Sequence, residues 1–292
     1  MSEAVTGLAL GLVLLAAFTH ATWNLAAKRA GVGGPAFVWL FASVEVALFT
    51  PVAVIALAVG ATTDLWGVGA ALVSGVLHSA YFLLLQRSYR TGDLSVVYPV
   101  ARGLGPLLAV GGAVLLLGER PPLLAYLGAV AVSAGVLWLA SLGGGPRSRM
   151  SVSTPGLMFA VLTGLAIATY TVWDGYAIRV LSVPPILFFW GTSIGRLVSL
   201  STILPRHRAS LRPMWQTYRR QILIIGVLSP LSYVLVLFAL TMAPVSFIAP
   251  AREISIVIAT LFGTQLLQEG RRTPRLVAAS IIVGGVLLLG IA

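Results

Sequence analysis

Three cations, Arg102, Arg196 and Arg252, and three acids, Glu45, Asp174 and Glu253, lie inside long apolar stretches of the chain. Facing hydrocarbon, each would cost about 3 kcal/mol or more, so each must face protein, water or a counter-ion. Internal pairing is the plain structural solution, and Glu45 with Arg196 suits it. Arg252 and Glu253 are sequence neighbours, so on a helix they point about 100° apart and one of them needs another partner. Arg102 and Arg252 together would suit a carboxylate or phosphate through charge-assisted hydrogen bonds. Asp174 and Glu253 are the candidates for carrying a proton, because a carboxyl at that depth must be either paired or neutral.

Polar aromatics accompany these charges at helical spacing. His20, Trp23 and Asn24 fall at i, i+3 and i+4, and Tyr170, Trp173 and Asp174 repeat the pattern. His78 and Tyr81 form another i, i+3 pair, and Tyr98 lies one turn before Arg102. Such stripes usually serve packing or mark the membrane interface. Here each aromatic is bracketed by polar groups on its own face, which favours the lining of a cavity. The candidate substrate contacts are therefore His20, Trp23, Asn24, His78, Tyr81, Tyr98, Arg102, Tyr170, Trp173 and Arg252. His20 and His78 have a second reading as proton carriers.

Ten apolar spans position these residues, at 4–27, 35–59, 66–90, 94–117, 122–141, 155–180, 185–204, 220–241, 245–268 and 274–291. Each is close to the roughly 20 residues that cross a bilayer core. The first is too long for a signal-peptide core and has no charged n-region, so it counts as a span. The stretch Leu94–Glu119 organises the rest: Arg102 sits there among Pro99, Gly103, Gly105 and Pro106. That composition predicts a loosened helix, tolerable only where it lines a cavity. Gly143–Thr154 reads as a flexible linker between a first unit, 1–142, and a second, 155–292.

The two units align without a gap at an offset of 150 residues. Trp23 falls on Trp173, His20 on Tyr170, Asn24 on Asp174, Arg29 on Arg179, Ala101-Arg102 on Ala251-Arg252, and Glu119 on Glu269. Matches at Trp, Arg and Glu are rare coincidences in so apolar a composition. Five is an odd number, so the second unit must enter the membrane from the opposite side. Inverted repeats of this kind place a substrate site near the midplane. The expected fold is thus all-α and membrane-integral, with ten transmembrane helices in two inverted five-helix repeats around a central cavity.

Composition supports that class. Hydrophobic residues make up 58% of the chain and charged ones 9%, against about 25% charged in ordinary globular domains, and the mean hydropathy is +0.99. The net charge of +11 does not signal a nucleic-acid partner. Lys28, Arg29, Arg87, Arg90, Arg147, Arg149, Arg206, Arg208, Arg212, Arg219, Arg220, Arg271, Arg272 and Arg275 all lie in or at the edges of the loops after odd-numbered spans, whereas Arg120 and Arg179 lie on the other face. The positive-inside rule makes the first set cytoplasmic and both termini extracytoplasmic, in the cell's inner (plasma) membrane. Residues 205–220, with Trp215 and Tyr218, then form a cytoplasmic interfacial segment. Cysteine is absent and Lys28 is the sole lysine, so thiolate metal sites and a P-loop are excluded. No cofactor or metal is expected.

Gly191-Thr192-Ser193-Ile194-Gly195 fits G-x-S-x-G. The hydrolase elbow needs a strand–turn–helix setting, but this one lies within a helical span, where small residues normally pack. An intramembrane hydrolase using Ser193 with His20 or His78 is thus the weak competitor, beside a non-transporting scaffold or scramblase.

Several segments together resemble the drug/metabolite transporter superfamily, specifically its ten-span EamA type: HATWNLAAKR (20–29), YRTGDLSVVYPVARGLGP (89–106), LLLGER (115–120), IAPARE (248–253) and LLQEG (266–270). The resemblance implies a basket of ten helices, with spans 1–4 and 6–9 around the cavity and spans 5 and 10 outside. It also implies transport of small metabolites, often export of amino acids, while relatives exchange phosphorylated sugars or nucleotide sugars. The second copy has Glu253 where the first has Gly103, so the pathway is chemically asymmetric. The expected function is secondary export of a small anionic or zwitterionic metabolite by alternating access. Protons are the candidate coupling ion, and export of amphipathic cations by proton antiport is the alternative.

Overall fold

Apolar runs punctuated by Gly and Pro become helices in chain order. They are α1 (Glu3–Ala30), α2 (Pro35–Ala58), α3 (Leu65–Thr91), α4 (Leu94–Leu116), α5 (Leu123–Ser141), α6 (Thr154–Arg179), α7 (Pro185–Ser201), α8 (Arg208–Met242), α9 (Val245–Ala251) and α10 (Arg272–Gly290), with a 3₁₀ turn at Leu204–His207. The computed structural model describes residues 3–30, 34–91, 94–142, 154–258 and 272–292; within these, the side chains of 3–6, 24–30, 86, 89–91, 94–99, 140 and 272 stand outside the description. Nearly all of the expected linker, 143–154, and the position of Glu269 lie outside the described residues. Pro35 and Pro185 open α2 and α7, where a fixed φ helps and no hydrogen bond is lost.

The helices pack in corresponding pairs. α1 lies along α8 as α3 lies along α6, α2 meets α8 as α7 meets α3, and α5 packs on α10. The α5–α10 seam is close enough to require glycine. A Cβ on Gly128 would stand 2.8 Å from Gly285 O, and one on Gly285 would stand 2.8 Å from Gly128 O.

The loosened backbone expected in the first copy falls instead in the second. α4 is helical from Leu94 to Leu116, because its glycines serve packing rather than bending. A Cβ at Gly103 would meet Leu137 of α5 at 2.7 Å, and one at Gly105 would meet Ile167 of α6 at 2.7 Å. Support on two sides holds the helix despite its prolines. In the second copy α9 ends at Ala251, directly after Pro250, which supplies no N–H. Tighter bonds follow, from Glu253 N to Pro250 O (3.0 Å), Ser255 N to Arg252 O (3.2 Å) and Ile256 N to Glu253 O (2.9 Å). Helix resumes at 254–258. α8 begins earlier than its apolar span, at Arg208, and Tyr218 has non-helical dihedrals (φ −118, ψ 16). The basic segment is thus a helical arm joined to the span at Tyr218.

Among the described residues five helices are long and apolar enough to cross a bilayer: Pro35–Ala58, Leu65–Leu85, Thr154–Arg179, Leu204–Met242 and Thr273–Gly290. Gly7–Trp23, Val100–Leu116 and Leu123–Leu139 are shorter apolar helices. Large apolar side chains such as Leu65, Leu115, Leu116 and Leu123 are exposed along the exterior. A surface so rich in exposed aliphatics matches lipid as its solvent, since soluble monomers rarely carry extended apolar patches.

Candidate functional site

The break after α9 points Arg252 and Glu253 in different directions, and each finds a different setting. Glu253 meets Arg102 of α4, with Glu253 Oε2 3.1 Å from Arg102 Nη2 and both side chains nearly buried. That oxygen accepts no aligned hydrogen bond, so charge alone holds it at this contact. Arg252 is half-buried and makes no ion pair with a described acid. It lines a small hollow with Arg102, His20, Ser232 and Ser255, closed on one side by Ala16, Ala17 and Val236. The hollow offers about 10 Å³ to the centre of a water, room for roughly one molecule. At that volume the hollow is too small for a metabolite in its present form.

A second polar cluster joins α3, α6 and α8. Ser74 Oγ donates to Asp174 Oδ1 at 2.6 Å, and the Tyr233 hydroxyl donates to Asp174 Oδ2. His78 Nδ1 lies 2.9 Å from the Ser74 carbonyl. Only an N–H can bond that oxygen, so Nδ1 carries a proton. Nε2 then faces Asp174 Oδ2 at 3.9 Å. Aromatic rings enclose the group. His78 lies over Tyr170 at 4.1 Å and against Tyr233 at 5.2 Å, Tyr81 meets Tyr170 at 5.5 Å, and Phe189 meets Tyr233 at 5.9 Å. A fully donated carboxylate inside aromatic walls can hold a proton or attract a cation.

Two further carboxylates tie helices together. Glu45 of α2 takes Arg196 Nη1 at 3.1 Å through Oε2 and 3.5 Å through Oε1, so this expected pair forms. Glu119 explains the LLLGE ending. Gly118 adopts a left-handed φ of +66 that stops α4. The carboxylate beyond it accepts Val245 N–H at 2.8 Å and Ser246 N–H at 2.9 Å. It thereby satisfies donors left free at the start of α9, with Arg179 Nε 4.0 Å away.

The profile of the EamA-like transporter family matches residues 154–291. The matched stretch, the second half of the chain, is similar to an EamA-like transporter domain. A crystal structure of another protein superposes on this chain with a TM-score of 0.77 at 19% identity, covering 99% of this chain and 96% of the other. That likeness establishes a shared fold. No curated protein matches the sequence. That match agrees with the drug/metabolite transporter resemblance and points to a transporter rather than an enzyme.

The matched stretch contributes Tyr170, Asp174, Tyr233, Arg252 and Glu253 to the two clusters, and the first half contributes His20, Ser74, His78, Tyr81 and Arg102. Trp23 sets its ring edge-on to His20 at 4.9 Å, and its buried indole N–H has no partner among the described residues. Trp173 turns away from both clusters and donates to Ala70 O at 2.9 Å on the wall of a different cavity. The side chains of Asn24 and Tyr98 lie outside the description. Ser193 is fully buried on the helical α7, its hydroxyl unpartnered, so no described histidine activates it. Gly191 and Gly195 pack against Ala71 and Leu72 of α3. Tyr233, Ser74 and Ser232 escaped the sequence reading. The repeat argument marked positions that are polar in both units, whereas Tyr233 aligns with Leu83 and Ser74 with Ile224. Tyr233 did leave one signal, a hydroxyl stranded mid-span.

Proposed function

We propose that this chain is a secondary transporter that exports a small anionic or zwitterionic metabolite, such as an amino acid, by alternating access. The observation that carries this reading is Arg252, a guanidinium at membrane depth without a described acid, beside the Arg102–Glu253 pair in a small polar hollow. A zwitterion fits those charges with little net change. Its carboxylate would bridge Arg252 and Arg102, and its ammonium would take over Glu253 as that acid is released. The hollow would widen as the substrate replaces a fixed ion pair with a mobile one. Asp174, held by Ser74 and Tyr233 beside His78, would exchange the coupling proton.

The corresponding helix pairs and the reciprocal Gly128–Gly285 seam support two five-helix units, 1–142 and 155–292, related by inversion. On this reading the chain crosses the inner membrane ten times with both termini outside. A second reading, export of an amphipathic cation, draws support from the aromatic enclosure of Asp174 by Tyr170, Tyr233 and His78. A thermal-shift screen against amino acids, organophosphates, phosphonates and lipophilic cations separates the two, because a ligand that prefers the folded site raises the melting point by mass action. Stabilisation by an amino acid that disappears in Arg252→Gln supports the main reading. Stabilisation by a lipophilic cation alone, lost in Asp174→Asn and retained in Arg252→Gln, overturns it.

A further inference from the structure

α3 and α4 each pack extensively on α6 but barely touch one another. Between them lies a groove of about 1090 Å³, walled by Val73, Leu108, Leu116, Leu165 and Val172, with Trp66 at its mouth 79% exposed. Among the described residues no charged side chain lines it. On its α6 face the Trp173 indole N–H goes to Ala70 O and the Thr169 hydroxyl to Leu165 O at 2.8 Å, which leaves the Tyr176 hydroxyl as the remaining polar group there. A charged ligand, or one with several hydrogen-bonding groups, would therefore forfeit most of its hydration for a single hydroxyl. Hydrocarbon would lose nothing. The volume is at the upper end of ordinary ligand pockets, and α3 and α6 are both long and apolar enough to span a bilayer. The medium at the opening is therefore lipid rather than water.

We propose that this groove binds an acyl chain of a membrane phospholipid, which lodges between α3 and α4, with its headgroup at the level of Trp66, where aromatic residues favour the interface. Trp173 is the partition between that chain and the polar cluster. Its ring faces the groove, and the next residue, Asp174, holds Ser74 and Tyr233. Gly69 offers a way to plug the groove, because it lies in the lining and a Cβ there has nothing within 4 Å.

The test uses the full chain with every tryptophan except Trp173 changed to Phe, reconstituted into nanodiscs of phosphatidylcholine brominated at mid-chain. The expected result is loss of Trp173 emission relative to unbrominated lipid, little effect of aqueous iodide, and recovery of emission in Gly69→Leu. Quenching by iodide instead of bromine would reveal a water-filled groove and overturn the proposal. So would bromine quenching that Gly69→Leu leaves unchanged, since it would then come from lipid elsewhere on the surface. Native mass spectrometry of the otherwise unaltered chain gives a second reading that does not depend on the tryptophan replacements. A phospholipid adduct retained by the wild type and lost in Gly69→Leu supports the site, and equal retention by both overturns it.

Discussion

Glu45–Arg196 and Arg102–Glu253 are both buried arginine–carboxylate pairs, and each joins the first half of the chain to the second. Their surroundings differ. The Glu45 side chain is 1% exposed and contacts Arg196 Nη1 through both oxygens, on two unbroken helices. Arg102–Glu253 borders a hollow, has Arg252 beside it, and takes its acid from a break in the helix. A buried pair with good geometry persists because removing one partner strands the other charge. A pair that shares its space with a further cation has an alternative partner within reach. On the proposed function, the first pair is a rivet between halves and the second a contact that a substrate would replace.

The sharpest way to break this contrast is to remove one acid or cation from each pair. Glu45→Ala should cost about 3–5 kcal/mol by leaving Arg196 buried and unpaired, seen as a fall in melting temperature. Exchanging the charges, Glu45→Arg with Arg196→Glu, should restore part of it. Arg102→Ala should leave the protein folded while transport in proteoliposomes falls at least about 100-fold, or roughly 2.7 kcal/mol at the rate-limiting step. If Arg102→Ala instead unfolds the protein as severely as Glu45→Ala, the two pairs are equivalent and the distinction fails. Tyr233→Phe takes one donor from the Asp174 carboxylate and should cost about 1–3 kcal/mol. On the proposed function, that loss shows in the pH dependence of transport, leaving substrate affinity at the Arg252 hollow unchanged. The smallest effect belongs to Glu119→Gln, which weakens the charged cap on α9 by about 1 kcal/mol and should show as faster amide exchange at Val245 and Ser246.

Much of the helical layout was legible in the sequence, because apolar runs bounded by Gly and Pro leave few alternatives in lipid. The starts of α2, α4 and α7 coincide with the expected ones, and Glu45–Arg196 pairs as expected. The bend was misplaced. Pro99, Gly103, Gly105 and Pro106 made α4 the obvious place for a broken helix, but glycine serves either looseness or close approach, and only the neighbouring Leu137 and Ile167 decide which. The partner of Glu253 was not legible either, since it depends on how α4 and the stretch after α9 meet. Trp173 shows the limit of periodicity. It lies one helical turn from Tyr170 by spacing, yet Tyr170 encloses the Asp174 cluster while Trp173 walls a different cavity.

Glu119 belongs to the first half but completes the helix that carries Arg252's approach in the second. During synthesis, that carboxylate waits until the ribosome has delivered more than a hundred further residues before Val245 arrives to meet it. A chain arrested after the linker would carry an anion with no amides to grip, and a second half made by itself would carry amides with no anion. Each fragment supplied in trans should therefore rescue the other, as two pieces of one clasp.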